Sequence, residues 1–546
     1  MRLAALALLA LCSAGMAGPE FVTVSGAGDT ARLHCLGIDF VSESPRLPAD
    51  AFVTPDQRAA IRQLGFTVEP LHCPPCLDIP DEYHTYQQTF RVFDSLRTRH
   101  PDIVALRSIG TTQWRNVPIY AVKISDNVAL EEDEPAVLYT GAMHAREPLG
   151  TEIIIHLAKY LCAGYAASPD VRRWVDSTEI WLVPVVNPDG FMYMFESARS
   201  NPWWRKNQRD NNENGRFDYS YDGVDLNRNF DWRWTVGGDT TPGSWVYRGP
   251  APGSEAETQA WCDLAREQQP VLGISYHSYG EVVIYPWSFQ GQTTPDNDVY
   301  TATAARLAQV TGYSYRHSHG TNMSTDWLYA RVGQLDFVIE TGTQFIEPGH
   351  RILGICHQNF HGDTFLFNRL FYSIVRGHVT DSVTGEPLVA EVQVLGRVDS
   401  TLDPRLSDSL FGSFYRVLRP YTYTFRFNCT GYDTLTVTGV RVTADEPTRL
   451  EARLKRSSGI GARPGTGRPS ISARPNPFTA ATTVSLGREA GTVRVLDAAG
   501  RLVCTLDCRP SAVWQGDDET GRPRPSGVYF LAAPGIGQPL RVLLLR

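Results

Sequence analysis

The side chains best placed to do chemistry in this sequence are two histidines and two carboxylates, each delivered by the end of an apolar run. The run 136–140 leads into Gly141-Ala142-Met143-His144-Ala145-Arg146-Glu147-Pro148. His144 and Glu147, three apart, can turn toward one ion. Pro148 suits the start of a following helix, whose dipole favours a carboxylate there. Alone, such a pair is ordinarily a surface pair. The run 271–276 then delivers His277-Ser278-Tyr279. Two nitrogens and one oxygen make the open three-ligand set of a catalytic zinc site, and their wide separation in the chain means a fold-dependent site rather than a zinc finger. The run 335–339 ends in Glu340-Thr341-Gly342. A carboxylate beside an open zinc position is what hydrolysis needs, a base to take the proton from the attacking water.

Two cationic segments lie between these runs, Trp203-Trp204-Arg205-Lys206-Asn207 and Gly223-Val224-Asp225-Leu226-Asn227-Arg228-Asn229. Loop arginines are ordinarily solvated. In a cleft beside zinc, one could stabilise a developing oxyanion and another could clamp a carboxylate through two hydrogen bonds. The turn Asn187-Pro188-Asp189-Gly190 carries no compelling chemistry. Asp210-Asn211-Asn212-Glu213-Asn214-Gly215, with Asp218, matches the front of a calcium loop, but Tyr221 stands where a bidentate Glu is expected. A polar Asn-rich turn is the preferred reading, with Ca2+ the minor one.

The elements that must position these groups occupy residues 81–372. Apolar strand-like runs (135–140, 179–186, 271–276, 335–339) alternate with helical patterns (152–165, 255–268, 302–311). This predicts an α/β domain with a mixed, mostly parallel sheet flanked by helices on both faces, and ligands bind beyond the strand C-terminal ends of such sheets. From 373 to 455 the period changes to two, as in a small β-sandwich. Residues 456–472 read as a Gly/Pro/Ser/Arg-rich linker, and 473–546 as a last β-rich module. Residues 1–18 have the basic start, short apolar run and small residues of a secretory signal peptide. Residues 19–80 fit a pro-segment or N-terminal packing element, with alternation over 31–40, a helix over 54–64 and too little length for much core.

Composition narrows the function classes. The chain has 546 residues, 42% of them hydrophobic and 20% charged, which excludes wholesale disorder. Its net charge is −8 and no long Lys/Arg run occurs, which argues against a nucleic-acid partner. After the first 18 residues no run is long and apolar enough to be expected in a membrane. Ten cysteines include Cys12; losing it with the signal leaves an odd number. Cys73-Pro-Pro-Cys76 and the pair Cys504 and Cys508 read as local disulfides or plain thiols rather than a redox or zinc site.

Taken in order, His-Ala-Arg-Glu at 144–147, Trp-Arg-Lys at 204–206, Gly-Val-Asp-Leu-Asn-Arg-Asn at 223–229, His-Ser-Tyr at 277–279 and Glu340 resemble the motif set of zinc metallocarboxypeptidases of the carboxypeptidase A and T type. The resemblance covers roughly residues 83–372. It implies one Zn2+ held by His144, Glu147 and His277, with Glu340 as general base and Arg205 polarising the scissile carbonyl. It further implies Asn227 and Arg228 on the substrate's terminal carboxylate, Arg146 as an outer site on the approach, and Tyr279 and Thr325 among the substrate-binding residues. The implied reaction removes one C-terminal residue from a peptide or protein. Thr325, just before Asp326-Trp327, is small and polar where an acidic group would select Lys or Arg, so apolar C-terminal residues are expected. One position departs from the pattern: the family's mobile Tyr falls at Ser318, leaving Tyr315, His317 or His319 as candidates for its role, or the role absent. A zinc amidase or endopeptidase on the same scaffold acting on cell-wall peptides, and an inactive surface binding protein, are the alternative readings.

Gly377-His378-Val379-Thr380-Asp381 with Thr384-Gly385-Glu386-Pro387-Leu388 resembles the transthyretin-like domain often attached to these enzymes. The segment from Ala473-Arg474-Pro475-Asn476-Pro477-Phe478 to Pro525-Ser526-Gly527-Val528-Tyr529-Phe530 resembles the sorting domain of type IX-secreted bacterial proteins, or a hook-capping immunoglobulin-like module. These resemblances imply a bacterial protein that is secreted or at the cell surface, with the secretion machinery as a partner.

Overall fold

The structure is a computed structural model. It describes residues 79–196, 203–287, 292–318 and 322–457, together with parts of 20–70 and 471–544. The signal-like 1–18, Cys73 and Cys76, His319 and most of the linker lie outside the described residues.

An eight-stranded sheet organises the middle of the chain. Its strands are β5 (Val104–Thr111), β6 (Pro118–Ile124), β7 (Ala136–Thr140), β8 (Glu179–Val183), β9 (Leu272–His277), β10 (Val282–Tyr285), β11 (Ser314–His317) and β12 (Leu335–Glu340), numbered after the four N-terminal strands described below. They lie in the order β11-β10-β12-β9-β7-β8-β6-β5. Neighbours β8-β7-β9-β12 run parallel, while β5, β6 and β10 introduce antiparallel pairings. Every residue of β7, β8, β9 and β12 is buried, as expected of central parallel strands covered on both faces. The helices Leu149–Gly164, Ala256–Gln268, Asn297–Thr311 and Gly349–Arg369 pack with this sheet around one continuous core.

The crossover from β7 into the helix Leu149–Gly164 is tight, and two glycines permit it. A Cβ on Gly150 would lie 2.8 Å from the Tyr276 Cβ, and one on Gly141 would lie 2.9 Å from the Gly150 carbonyl carbon. Without side chains there, the turn carrying His144 and Glu147 lies directly against the end of β9, which carries His277.

Residues 20–70 build a separate four-stranded sheet from β1 (Glu20–Ser25), β2 (Asp39–Phe40), β3 (Ala49–Val53) and β4 (Thr67–Pro70) in the order β2-β3-β1-β4, with the helix Pro55–Gln63. Contrary to expectation this unit has its own core, including Val22, Val24, Ala51, Val53, Ile61, Phe66 and Val68. Beyond the eight-stranded sheet, a three-stranded sheet (Glu391–Val394, Tyr421–Asn428, Leu435–Val442) and a sheet built on Ile374–Asp381 and Ser413–Val417 enclose a second core. A further pair of sheets within 471–544 encloses a third, which includes Cys504 and Cys508. Among the described residues these two cysteines are free buried thiols, as are Cys162, Cys262 and Cys356. No helix of the described residues is long and apolar enough to cross a membrane.

Candidate active site

The turn after β7 and the ends of β9 and β12 meet at one point. His144, Glu147 and His277 are all buried. The His144 Nδ1 lies 2.9 Å from Glu147 Oε1, and the His277 Nδ1 lies 2.8 Å from Glu147 Oε2. The two Nδ1 atoms are 3.1 Å apart. A tetrahedral ion with arms of about 2.0–2.1 Å sets its donors roughly 3.3 Å apart, so two imidazole nitrogens and a carboxylate at these spacings fit zinc. Burial pushes the Glu147 carboxyl up, but His144 and His277 beside it hold it well below the usual carboxylate range.

Glu340 is buried, and the register pairs it with His277 across β12 and β9 and with Val282 across β12 and β10. It therefore stands on the rung of the sheet adjoining the His–Glu–His cluster. The following Thr341 donates both its N–H, at 2.8 Å, and its hydroxyl, at 2.9 Å, to the His277 carbonyl, pinning the end of β9.

Arg205 reaches the cluster from its loop, with Nη1 3.9 Å from Glu147 Oε1. Its Nε and Nη2 donate to Asp225 Oδ2 at 3.1 and 2.9 Å. The other oxygen of Asp225 lies 3.3 Å from His144 Nε2 and accepts the Asn227 N–H at 2.9 Å. Asp225 is fully buried. Burial opposes its ionisation, but Arg205 and then His144 hold its carboxyl far below the ordinary range. One carboxylate thus braces the His144 imidazole, an arginine and the start of the Asn227-Arg228 turn. Sequence reasoning gave Asp225 no role, although an acid between two cationic segments was a legible signal.

Asn227 and Arg228 lie in the single turn Leu226–Arg228. Asn227 Oδ1 accepts the Ser324 N–H at 2.8 Å, and Asn322 Nδ2 donates to the Arg228 carbonyl. These bonds bring in the short helix Ser324–Trp327, in which Thr325 is buried. Burial pushes Asp326 in that helix up to about 7. Tyr279 stands edge-on to Phe345, with ring centroids 5.0 Å apart. Arg146 is fully buried, its guanidinium 4.3 Å from the Phe345 ring centre and 5.6 Å from that of Trp245, so it packs among aromatics.

Neither described candidate for the mobile Tyr role lies beside Glu340. Tyr315 is on the edge strand β11 and pairs with Val283, and its side chain is largely exposed. His317 is two residues further from the site, 2.7 Å from Asn297 Oδ1 and packed on Tyr285. In the Asn-rich turn, Asp210 accepts the Asn214 and Gly215 N–H groups, and Asp222 accepts those of Asn211 and Asp218.

The family profile described as zinc carboxypeptidase matches residues 90–362, half of the chain and the whole of this site. The chain belongs to the zinc carboxypeptidase family. Over 288 residues it is 31% identical to a zinc carboxypeptidase of Saccharothrix mutabilis subsp. capreolus, covering 49% of this chain and 63% of that protein. It is 28% identical to carboxypeptidase A2 of Mus musculus, covering 51% of this chain and 68% of that one. The first of these relatives is thus matched over less than two thirds of its length. Among solved structures, carboxypeptidase A from Helicoverpa armigera superposes with a TM-score of 0.55 at 18% identity, over 65% of this chain and 97% of that one. Thrombin activatable fibrinolysis inhibitor does so with a TM-score of 0.52 at 19% identity, over 64% and 98%. At these identities the superpositions establish the carboxypeptidase-like α/β fold.

Proposed function

We propose that residues 81–372 are a zinc-dependent carboxypeptidase that hydrolyses the C-terminal peptide bond of peptides or proteins. The observation that carries this reading is the convergence of His144, Glu147 and His277 on one point, with Glu340 on the adjoining rung of the sheet. Bound there, zinc supplies Lewis acidity toward a carbonyl and lowers the pKa of water. Glu340 takes the proton of the attacking water and returns it to the leaving amine. Arg205, held by Asp225, stabilises the oxygen that becomes negative. Asn227 and Arg228 hold the terminal carboxylate by charge-assisted hydrogen bonds, which limits the reaction to chain ends. Tyr279 lines the approach, Arg146 packs behind it against Phe345, on which Tyr279 stands edge-on, and Thr325, small and uncharged, favours apolar C-terminal residues.

The rest of the chain extends the same reading. Residues 19–80, with a core of their own in the part described, act as a pro-segment. The composition of residues 1–18 and the motifs within 473–546 support export from a bacterium, with the β-sandwich 373–455 as a transthyretin-like accessory domain.

Mass spectrometry of a peptide with a free C-terminus, against its amidated twin, tests the activity with zinc supplied and the N-terminal unit removed by limited proteolysis. Loss of one residue from the free peptide alone is expected. Cleavage of both makes the protein an amidase or endopeptidase, and cleavage of neither makes it a binding protein.

A further inference from the structure

The helix Ser324–Trp327 continues into a wider turn of helix over Leu328–Val332, which ends at Gly333 in the left-handed region at φ 92°. The Gly333 N–H bonds to the Leu328 carbonyl at 2.8 Å. Two residues on, the Leu335 N–H has left the helix and donates to the Val271 carbonyl at 3.0 Å. The last carbonyls of a helix need outside partners. Those of Tyr329 and Ala330 find them on the β-sandwich. The Arg405 guanidinium donates to the Tyr329 carbonyl and, at 3.4 Å, to that of Ala330, and it lies 4.9 Å over the Tyr329 ring. The Asp403 N–H donates to the Ala330 carbonyl at 2.9 Å, and its carboxylate accepts from Arg331 at 3.0 Å.

This latch needs room at Gly333. A Cβ there would come within 2.6 Å of the Arg405 Cδ and 2.7 Å of its Nε. The latch also leads to the turn Leu226–Arg228. Arg331 donates to Asp231 at 3.3 Å, and Asp231 accepts the Trp327 indole N–H at 2.6 Å. The same short helix bonds to Asn227 through the Ser324 N–H. A cation and an N–H at a helix C-terminus both complement its dipole.

We propose that the β-sandwich caps the helix bearing Thr325, with Arg405 and Asp403 as positioning residues for the pocket that takes the C-terminal residue of the substrate. The accessory domain is then part of the binding apparatus, not an appendage. This rests on the carboxypeptidase reading, since it assigns the capped helix to substrate binding.

The test uses the full chain, freed of its N-terminal unit by limited proteolysis and supplied with zinc as above, and three variants treated alike, Arg405→Ala, Arg405→Lys and His378→Ala. His378 also joins the sandwich to the catalytic-type domain, 2.6 Å from Asp133, which lies just before β7 at the opposite end of the sheet. For Arg405→Ala, KM for free-carboxylate peptides should rise about fivefold or more with kcat within about twofold, and amide hydrogen exchange over 324–333 should quicken at least about tenfold. Arg405→Lys should recover part of both effects. His378→Ala should leave both unchanged while lowering thermal stability. An unaltered KM in Arg405→Ala, or an equal rise in His378→Ala, overturns the positioning role; unchanged exchange overturns the cap. A wild-type chain that cleaves nothing after removal of its N-terminal unit and with zinc supplied overturns the carboxypeptidase reading instead, and the exchange result alone then decides the cap.

Discussion

Among the described residues, two clusters bring three metal-capable side chains within 4.8 Å of one another, and they sit at opposite ends of the sheet. His144, Glu147 and His277 crown the C-terminal ends of the parallel strands and are buried. Asp126, Glu132 and Glu134 lie near the N-terminal end of β7 and are partly exposed. Burial raises a carboxyl pKa at both places, but the neighbours decide the outcome. Imidazoles hold Glu147 ionised, whereas burial and the nearby Glu132, Asp126 and Glu179 push Glu134 up to about 8. Three carboxylates keep a proton among themselves; a carboxylate between two imidazoles is ready for a cation. Asp225 adds to the contrast: a buried carboxylate lies against His144, whereas at the acidic cluster the neutral Asn127 amide donates to Glu132 at 2.8 Å and to Asp126 at 3.3 Å.

The contrast is broken most directly by His277→Ala. Zinc affinity should fall by more than about 100-fold and peptide cleavage to background, measured by metal analysis and turnover, because two ligands cannot complete the open set. Retained zinc would end the assignment. Glu340→Gln should keep one zinc per chain while kcat falls by about 10²–10⁴-fold, the range of a lost general base; near-normal rates would remove Glu340 from that role. Asp225→Asn should cost about 10–100-fold in zinc affinity or kcat, since the amide cannot both accept from Arg205 and orient His144 as a carboxylate does. A change under about twofold would mean that packing alone holds His144.

The smallest effect belongs to the other cluster. With a folded pKa of about 8 against an ordinary 4.5, Glu134 keeps a proton in the folded chain that the unfolded chain has released. Its contribution to stability is therefore lost as pH rises from 4.5 toward 8. Glu134→Gln should flatten that decline and raise Tm at pH 8 by about 1–2 °C, the effect being small because the group is partly exposed to solvent. Zinc content and cleavage should not change. A fall in Tm at pH 8 would show that Glu134 is ionised in the folded chain.

Much of the central sheet was legible, because fully buried strands such as Ala136–Thr140 and Glu179–Val183 are largely apolar runs. The hairpin of β5 and β6 was not: β5 is mostly half-exposed and lacks clean alternation. The helix Gly349–Arg369 carries Gly349, Gly354 and Gly362, which lower helix propensity, and it forms because it packs on the helices Asn297–Thr311 and Leu149–Gly164. The N-terminal unit looked too short for a core, yet pairing four short strands under one helix gave it one.

By itself the sequence determined which groups are available for chemistry and the order in which strand ends deliver them, because hydrophobic runs and the polar residues that stop them are local properties. Only the tertiary structure decided that His277 meets His144 and Glu147, that Asp225 braces both His144 and Arg205, and that a β-sandwich arginine caps the helix of Thr325. These pairings join residues distant in the chain. They depend on strand order, on glycines that let elements approach, and on carbonyls that find partners only once another domain has packed against them.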